Sequence, residues 1–172
     1  MSNILDIADA FLRKDSLDSN KIQFLCYYYK GWSMALMDAD YLFDYDFYVT
    51  EYGPFNQTLL NEYGFETDVV YKASKKDLTI NDMERQLIED VWATYGEYDT
   101  DTLRYNIKRE PPYLLARVGN PFEEEEIDQN IRTEHMNIYF NSLLENDSKI
   151  LSIEDYYPPY DEEIVNTGRR RK

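Results

Sequence analysis

The sequence contains one cysteine and one histidine, and both scarcities limit the chemistry available to the chain. A single cysteine cannot form an intrachain disulfide, and it is too few for a thiolate metal site. Because Cys26 lies inside the apolar run over residues 22–29, we expect it to be a buried structural thiol. A catalytic triad around His135 would need partners that no local spacing indicates, so we expect a surface or half-buried helix residue.

Long apolar runs are also missing from the chain. There is no stretch of 18 consecutive apolar residues, which argues against a membrane-spanning helix. The first residues include no basic segment followed by an apolar one, so nothing indicates a secretion signal. We therefore expect a cytoplasmic protein that does not contact a membrane.

Basic residues are scarce beside acidic ones. The 172 residues include 18 lysines and arginines against 34 aspartates and glutamates, which gives a net charge of −16 with histidine neutral. Such a surface repels phosphates, so we expect no direct binding of nucleic acid and a basic protein as the partner. Acidic chains are often disordered, but an aromatic content of 16%, including 17 tyrosines, supplies enough apolar surface for one folded domain.

The sequence also lacks the motif spacings of common enzyme and metal sites. It contains no HExxH motif, no DxDxDG calcium loop and no phosphate-binding P-loop. The acidic run over residues 123–126 is typical of a solvated helix entry. We therefore expect no catalytic residues, no cofactor and no metal, with a carboxylate-dependent hydrolase or metalloenzyme as an alternative.

Apolar residues that recur at three- and four-residue spacing predict a mainly α fold. Ser2 or Asn3 is expected to cap the first helix, and Thr133 the last. Thr79 with Asp82 resembles a capping box with a shortened acid, ahead of the fourth helix. The apolar positions of the predicted helices span residues 4–12, 21–37, 55–63, 80–92, 103–107, 113–118 and 136–144.

Two stretches depart from the helical period. Over residues 41–52, aromatic and β-branched residues alternate with acidic ones, which predicts a small β-hairpin or two short strands. Gly53 and Pro54 are then expected to open the next helix, because proline fits the first helical position. Residues 65–78 are predicted to be a loop or a short strand around 69–71.

The C-terminal residues have a different character. Residues 154–163 combine acids and tyrosines around a Pro-Pro step, which disfavours a helix and suits a segment that orders on a basic partner. No apolar stripe is recognised beyond Leu144, so we expect the body to fold without this segment. The expected architecture is a compact multi-helix domain over residues 1–146 and an acidic, partly disordered C-terminal tail over residues 147–172.

Residues 21–54 carry a recognisable pattern. The stretch begins KIQFLCYYYKGW and ends in the tetrapeptide EYGP, with a Leu-Phe pair between them. This pattern resembles the Panacea or SocA-like antitoxin domain of phage-associated proteins, in which a Lys-Leu-Gln-Lys-Leu-Leu-Tyr helix leads to Gly-Trp, a Leu-Phe segment and a Tyr-Gly-Pro turn. The residues taken as the structural motif are Lys21, Gln23, Leu25, Tyr27, Gly31, Trp32, Tyr52, Gly53 and Pro54.

The resemblance implies a function as well as a fold. The chain would be an antitoxin that binds and inhibits a cognate toxin, or delivers it to a protease, and its charge favours a basic toxin. An alternative is an acidic phage-encoded inhibitor that imitates nucleic acid and blocks a DNA-binding host enzyme. The motif residues are expected to serve mainly as architecture. The residues expected to bind the partner are Tyr28, Asp44, Asp46, Tyr48, Glu51, Tyr156, Tyr157 and Tyr160.

Overall fold

The computed structural model describes residues 2–37, 45–66, 68–119, 129–145 and 153–157, and most of these residues are helical. The predicted mainly α fold with small strand pairs is confirmed. The helices are α1 (Ile4–Leu12), α2 (Ser19–Leu36), α3 (Gln57–Tyr63), α4 (Asp82–Tyr95), α5 (Thr100–Lys108), α6 (Pro111–Val118), α7 (Thr133–Leu144) and α8 (Ile153–Tyr156). The strands are β1 (Leu17–Asp18), β2 (Tyr48–Thr50), β3 (Gly53–Phe55) and β4 (Val70–Tyr71).

Short polar side chains cap several helices by accepting hydrogen bonds from backbone N–H groups that would otherwise be unpaired. Asn3 accepts a hydrogen bond from the Leu5 N–H at 2.8 Å and caps α1, which confirms one of the two residues predicted for this position. Asp18 and Asn56 cap α2 and α3 in the same way. In contrast, α7 follows Arg132 without a side-chain cap, so the prediction that Thr133 caps this helix is wrong. Thr133 is already the first helical residue.

A complete capping box opens α4, two residues later than the sequence predicts. The Asn81 side chain accepts from the N–H of Glu84 at 2.9 Å, and Glu84 Oε2 accepts from the N–H of Asn81 at 3.1 Å. The predicted pair of Thr79 and Asp82 is therefore wrong, because a full-length glutamate three residues after an asparagine satisfies both N–H groups. Ser2 also donates its backbone N–H to Glu84 at 3.2 Å, which ties α1 to α4.

The predicted hairpin is present, but it includes Gly53 and Pro54. Strands β2 and β3 pair antiparallel, with Val49 opposite Pro54 and Thr50 opposite Gly53. The prediction that these two residues open a helix is wrong, since α3 begins only after Asn56. The cause is the positive φ of Gly53, +119°, and the ring of Phe24, which would lie 2.6 Å from a Cβ at this position.

Helix α2 lies at the centre of the core. Helices α1, α4 and α7 pack against it, and the side chains from Ile22 to Tyr29 are buried. Gly31 permits the close approach of α7, because a Cβ there would overlap the ring of Phe140. Cys26 is buried, as predicted. Over the described ranges, no helix has the length and apolar character needed to cross a membrane.

Helix α8 packs on α7 and buries His135. The imidazole is 2% exposed, and its Nε2 lies 3.1 Å from the carbonyl oxygen of Tyr156, which is also buried. Burial, followed by the charge of Arg132, lowers the pKa of His135 below its ordinary value. The predicted surface or half-buried histidine is therefore wrong, and Tyr156 is a buried residue beyond the last predicted apolar stripe. Four helical residues are too few to produce a recognisable apolar period.

Candidate functional site

A cleft opens between α2, α4, α7 and the turn from α5 to α6. It is a shallow depression of about 420 Å³ that is wide open to solvent. Four tyrosines and one carboxylic acid dominate its lining. These five residues are Tyr28, Tyr95, Tyr98, Glu110 and Tyr139.

The position of Glu110 follows from the two prolines after it. Glu110 precedes α6 with an extended backbone, at φ −81° and ψ 142°, as expected for a residue before proline. Its side chain makes no capping hydrogen bond to α6. Instead, its Oε2 accepts a hydrogen bond from the hydroxyl of Tyr28 on α2 at 2.9 Å. The carboxyl group is thereby held inward against the central helix.

Two stacked rings form one wall of the cleft. The rings of Tyr28 and Tyr95 lie parallel, with centroids 3.8 Å apart and an interplanar angle of 8°. The hydroxyl of Tyr95 accepts a hydrogen bond from Trp32 Nε1 at 2.9 Å. Since Trp32 is itself packed edge-on against the buried ring of Phe140, this wall is fixed by the core.

Glu110 is partly unsatisfied where it lies. Its Oε1 is shielded from solvent and has no hydrogen-bond partner among the described residues. Burial raises the pKa of this carboxyl to about 7, against the opposing effect of the Tyr28 and Tyr139 hydroxyls, which favour the ionised form. No cation of the described ranges lies within ion-pair distance of it. A buried acid without a cation is costly once ionised.

Arg109, the residue before Glu110, does not serve as its counter-charge. Arg109 donates from Nη1 to the hydroxyl of Tyr105 at 2.8 Å, and its guanidinium lies 4.9 Å from the centre of the same ring. It is therefore engaged along the exposed side of α5, although it borders the cleft. The tyrosine hydroxyls stay neutral near pH 7, because burial raises the pKa of Tyr95 to about 12 and that of Tyr28 and Tyr139 further.

Chemically, the cleft offers one acid, several neutral hydroxyls and aromatic ring faces. Within the described ranges, no group of three or more histidine, cysteine, aspartate or glutamate side chains could hold a metal ion. The arrangement is suited to a ligand that carries positive charge, because ring faces and a carboxylate both attract cations.

The residues predicted to bind a partner are dispersed. Asp46 and Glu51 are exposed beside or within the hairpin, and Tyr48 is half-buried. Tyr157 is half-buried against His135. Asp44 and Tyr160 lie outside the described residues. Of the six that the structure describes, only Tyr28 borders the cleft.

Two of the residues predicted to bind a partner are buried. The ring of Tyr28 is 1% exposed, because it is enclosed by α4 and α7, although the residue borders the cleft. Tyr156 is 5% exposed, because it packs against His135 on α7. Neither ring lies on the surface, and their role in binding a partner stays a prediction.

The residues of the structural motif have definite neighbours. Gln23 pairs with the backbone of Asn56 through two hydrogen bonds, Lys21 donates to the carbonyl oxygen of Gly96 at 2.7 Å, and Leu25 and Tyr27 are buried. Tyr52 departs from the expected architectural role, since its ring is 58% exposed. Its carbonyl oxygen, not its ring, is used, as the acceptor for Arg104 Nε at 2.8 Å.

Most of the cleft was missed by sequence reasoning. Tyr95 lies on α4 and Tyr139 on α7, Tyr98 and Glu110 lie in the turns after α4 and before α6, and Tyr28 and Glu110 are 82 residues apart. The only local signal is an acid directly before two prolines, which fixes the backbone of Glu110 but does not indicate what its side chain meets.

Comparisons of the chain with protein-family models, with curated proteins and with solved structures give no match. The similarity to the Panacea or SocA-like domain therefore depends on the residues of this sequence alone, and it stays a prediction.

Proposed function

We propose that the chain is a protein-binding neutraliser, an antitoxin of the Panacea or SocA-like kind that captures a basic toxin. The observation that carries the proposal is Glu110, a half-buried carboxyl with a shielded Oε1 and no cation among the described residues, in a cleft walled by tyrosines. Such a group lowers the stability of the free protein, and a positively charged partner would remove that cost. Groups of this kind concentrate at functional sites.

The charge of the whole chain supports the same partner. A net charge of −16 creates a negative field that accelerates encounter with a basic protein and disfavours acidic ones. Tyrosines suit the contact itself, because each ring offers a large apolar face and a hydroxyl at little cost in side-chain entropy. The charge of the surface would then steer the basic partner towards the chain, and the cleft would retain it, as two separate contributions to binding.

The motif residues support the assignment in a different way. In the motif, Gly31 accommodates Phe140, Gly53 accommodates Phe24, and Gln23 holds the start of α3. These contacts give Gly31, Gly53 and Gln23 an architectural reason at their spacing. The motif therefore supports a shared fold, whereas the cleft supports the capture of a partner.

Co-expression tests the proposal directly. The product of the neighbouring gene is expressed in bacteria alone, with this chain, and with the variants Glu110→Gln and Glu97→Gln. We expect arrest of growth by the neighbour alone, recovery with the chain and with Glu97→Gln, and weaker recovery with Glu110→Gln. A harmless neighbour, or one that arrests growth regardless of this chain, contradicts the antitoxin function.

Two further measurements identify the mode of neutralisation. A stable complex at unchanged toxin level indicates direct inhibition, whereas loss of toxin protein in the presence of the chain indicates delivery to a protease. Competition with DNA distinguishes the remaining alternative, because an imitator of nucleic acid must be displaced from its target by excess DNA. Binding that excess DNA leaves unchanged argues against imitation.

A further inference from the structure

We propose that the cleft is a receptor for one basic side chain, a lysine ammonium or an arginine guanidinium, with Glu110 as its counter-charge. The inference rests on the proposed function, because it names the chemical group of the partner that the chain would hold. It adds a binding site, a ligand class and a linked proton, each of which can be measured on the isolated chain.

The size and walls of the cleft fit such a group. Its volume of about 420 Å³ lies within the range of small-ligand pockets, roughly 300–1,000 Å³, and far above the ~30 Å³ share of one water. The rings of Tyr95, Tyr98 and Tyr139 line it. A cation over such rings is attracted by their negative faces, by about 0.5–2 kcal/mol depending on how far it is desolvated.

The hydrogen bonds around Glu110 leave room for the ligand. The Tyr28 hydroxyl donates to Glu110 Oε2, so the lone pairs of that hydroxyl oxygen stay available to an N–H donor. The Tyr139 hydroxyl lies close enough to affect the same carboxyl. An ammonium or guanidinium can therefore donate to the hydroxyl oxygens while the carboxylate beneath them supplies the opposite charge.

Other ligand classes fit less well. An anion would be repelled by the carboxylate, and a neutral apolar ligand would leave the ionised carboxylate without a counter-charge. A metal ion would meet one carboxyl and neutral hydroxyls, with no group of three or more acidic, histidine or cysteine side chains in the described ranges. Arg109 does not occupy the position, because Tyr105 holds its guanidinium.

Binding should release a proton. The groups that face Glu110 are Tyr27 and Tyr28 on α2, Tyr95 and Tyr98 at the end of α4, Tyr139 on α7 and the adjacent Arg109. Glu110 has a pKa of about 7, and a bound cation favours its ionised form. If only the ionised form binds, the affinity should rise about tenfold between pH 6 and pH 8.

Titration of the full chain with amino-acid analogues tests the inference. The probes are N-acetyl-lysine methylamide and N-acetyl-arginine methylamide, with N-acetyl-norleucine methylamide as the uncharged control. Binding is followed by NMR at low salt, at pH 6 and pH 8, with the ¹³C carboxyl shift of Glu110 as a specific readout. We expect weak binding of one or both cations, about tenfold tighter at pH 8, and no binding of norleucine.

Two variants separate the local charge from the general field. Glu110→Gln removes the proposed counter-charge and keeps an acceptor for Tyr28, so it should weaken cation binding at least tenfold and abolish the pH dependence. Glu97→Gln removes the same charge from an exposed position between Tyr95 and Tyr98 and should bind like the native chain. Thermal melting of both variants establishes that they are folded.

The outcomes discriminate between this inference and the antitoxin function. Equal binding by Glu110→Gln, equal binding of norleucine, or no binding of either cation overturns the receptor. Cation binding without any rescue of growth leaves the receptor intact and removes the antitoxin function. Full rescue by Glu110→Gln, together with no analogue binding, leaves the function and removes the cleft from it.

Discussion

Two buried polar sites on α2 differ in how completely they are satisfied. Towards the N-terminal end, the Gln23 amide donates to the Asn56 carbonyl oxygen at 3.1 Å and accepts from its N–H at 2.8 Å. Further along, Tyr28 donates to Glu110, whose second oxygen has no hydrogen-bond partner among the described residues, with the Tyr139 hydroxyl nearby. A complete pair stabilises the fold, whereas an incomplete one lowers stability and is available to a ligand.

The largest effect is expected where the complete pair is broken. Gln23→Ala leaves the N–H of Asn56 unpaired in a buried position, while the carbonyl oxygen of Asn56 keeps its hydrogen bond from the Leu60 N–H at 3.0 Å. We expect a loss of up to about 3 kcal/mol in the free energy of unfolding, measured with urea. Gln57→Ala, on the exposed start of α3, is the matched control and should change stability by less than about 0.5 kcal/mol. Similar losses of stability in Gln23→Ala and Gln57→Ala would contradict the claim that the complete pair stabilises the fold.

At the incomplete site, removal of the carboxyl charge should raise the free energy of unfolding instead of lowering it. The pKa of Glu110 is raised from 4.5 to about 7, so the unfolded chain loses this proton at lower pH than the folded one. The native chain therefore loses stability as pH rises from about 4.5 to 7, and the loss persists above pH 7. Glu110→Gln should be more stable than the native chain by about 1–3 kcal/mol at pH 8.

This gain should vanish at low pH, where Glu110 is protonated in both states. Urea unfolding at pH 8 and pH 4 measures the difference, with Glu97→Gln as the control for loss of one negative charge. A Glu110→Gln variant that is less stable than the native chain at pH 8 would show that the carboxyl is satisfied in solution and has no need of a ligand.

The contrast also explains how far the sequence could be read. Helices such as α1 and α4 were predictable, because apolar residues at three- and four-residue spacing indicate a buried face. The box of Asn81 and Glu84 is equally local, but Thr79 and Asp82 offered a competing match two residues earlier. Glu110 could not be predicted as a site, since its environment is created by α2, α4 and α7 from distant parts of the chain.

A smaller effect is expected at the contact between α7 and α8. Removal of residues 147–172 would uncover His135, which now lies against Tyr156. The pKa of His135 is lowered in the folded chain, so its contribution to stability is present above its ordinary pKa and is lost as pH falls through the folded value. We expect the free energy of unfolding of the truncated chain to be about 1–2 kcal/mol lower at pH 8. It should also decrease less steeply as the pH falls.

NMR titration of the imidazole checks this account, because its pKa should return towards 6.5 after truncation. Folding of the truncated body, with its other helices intact, would also allow the predicted role of the tail to be measured. If the tail binds a basic partner, the truncated chain should capture that partner more weakly at low salt than at high salt, relative to the full chain.

The smallest effect concerns the wall of the cleft formed by the stacked rings of Tyr28 and Tyr95. Tyr95→Phe keeps the ring that stacks on Tyr28 and removes only the hydroxyl that accepts from Trp32 Nε1. Since Trp32 is half-buried, its N–H can partly regain water, and we expect a loss of about 0.5–1.5 kcal/mol. Tyr98→Phe, at an exposed ring of the same cleft, should leave stability nearly unchanged. Because the stack remains, the Glu110 carboxyl shift and the affinity for the cationic probes should change less than twofold in Tyr95→Phe. A larger loss of affinity would show that the Tyr95 hydroxyl contacts the ligand directly.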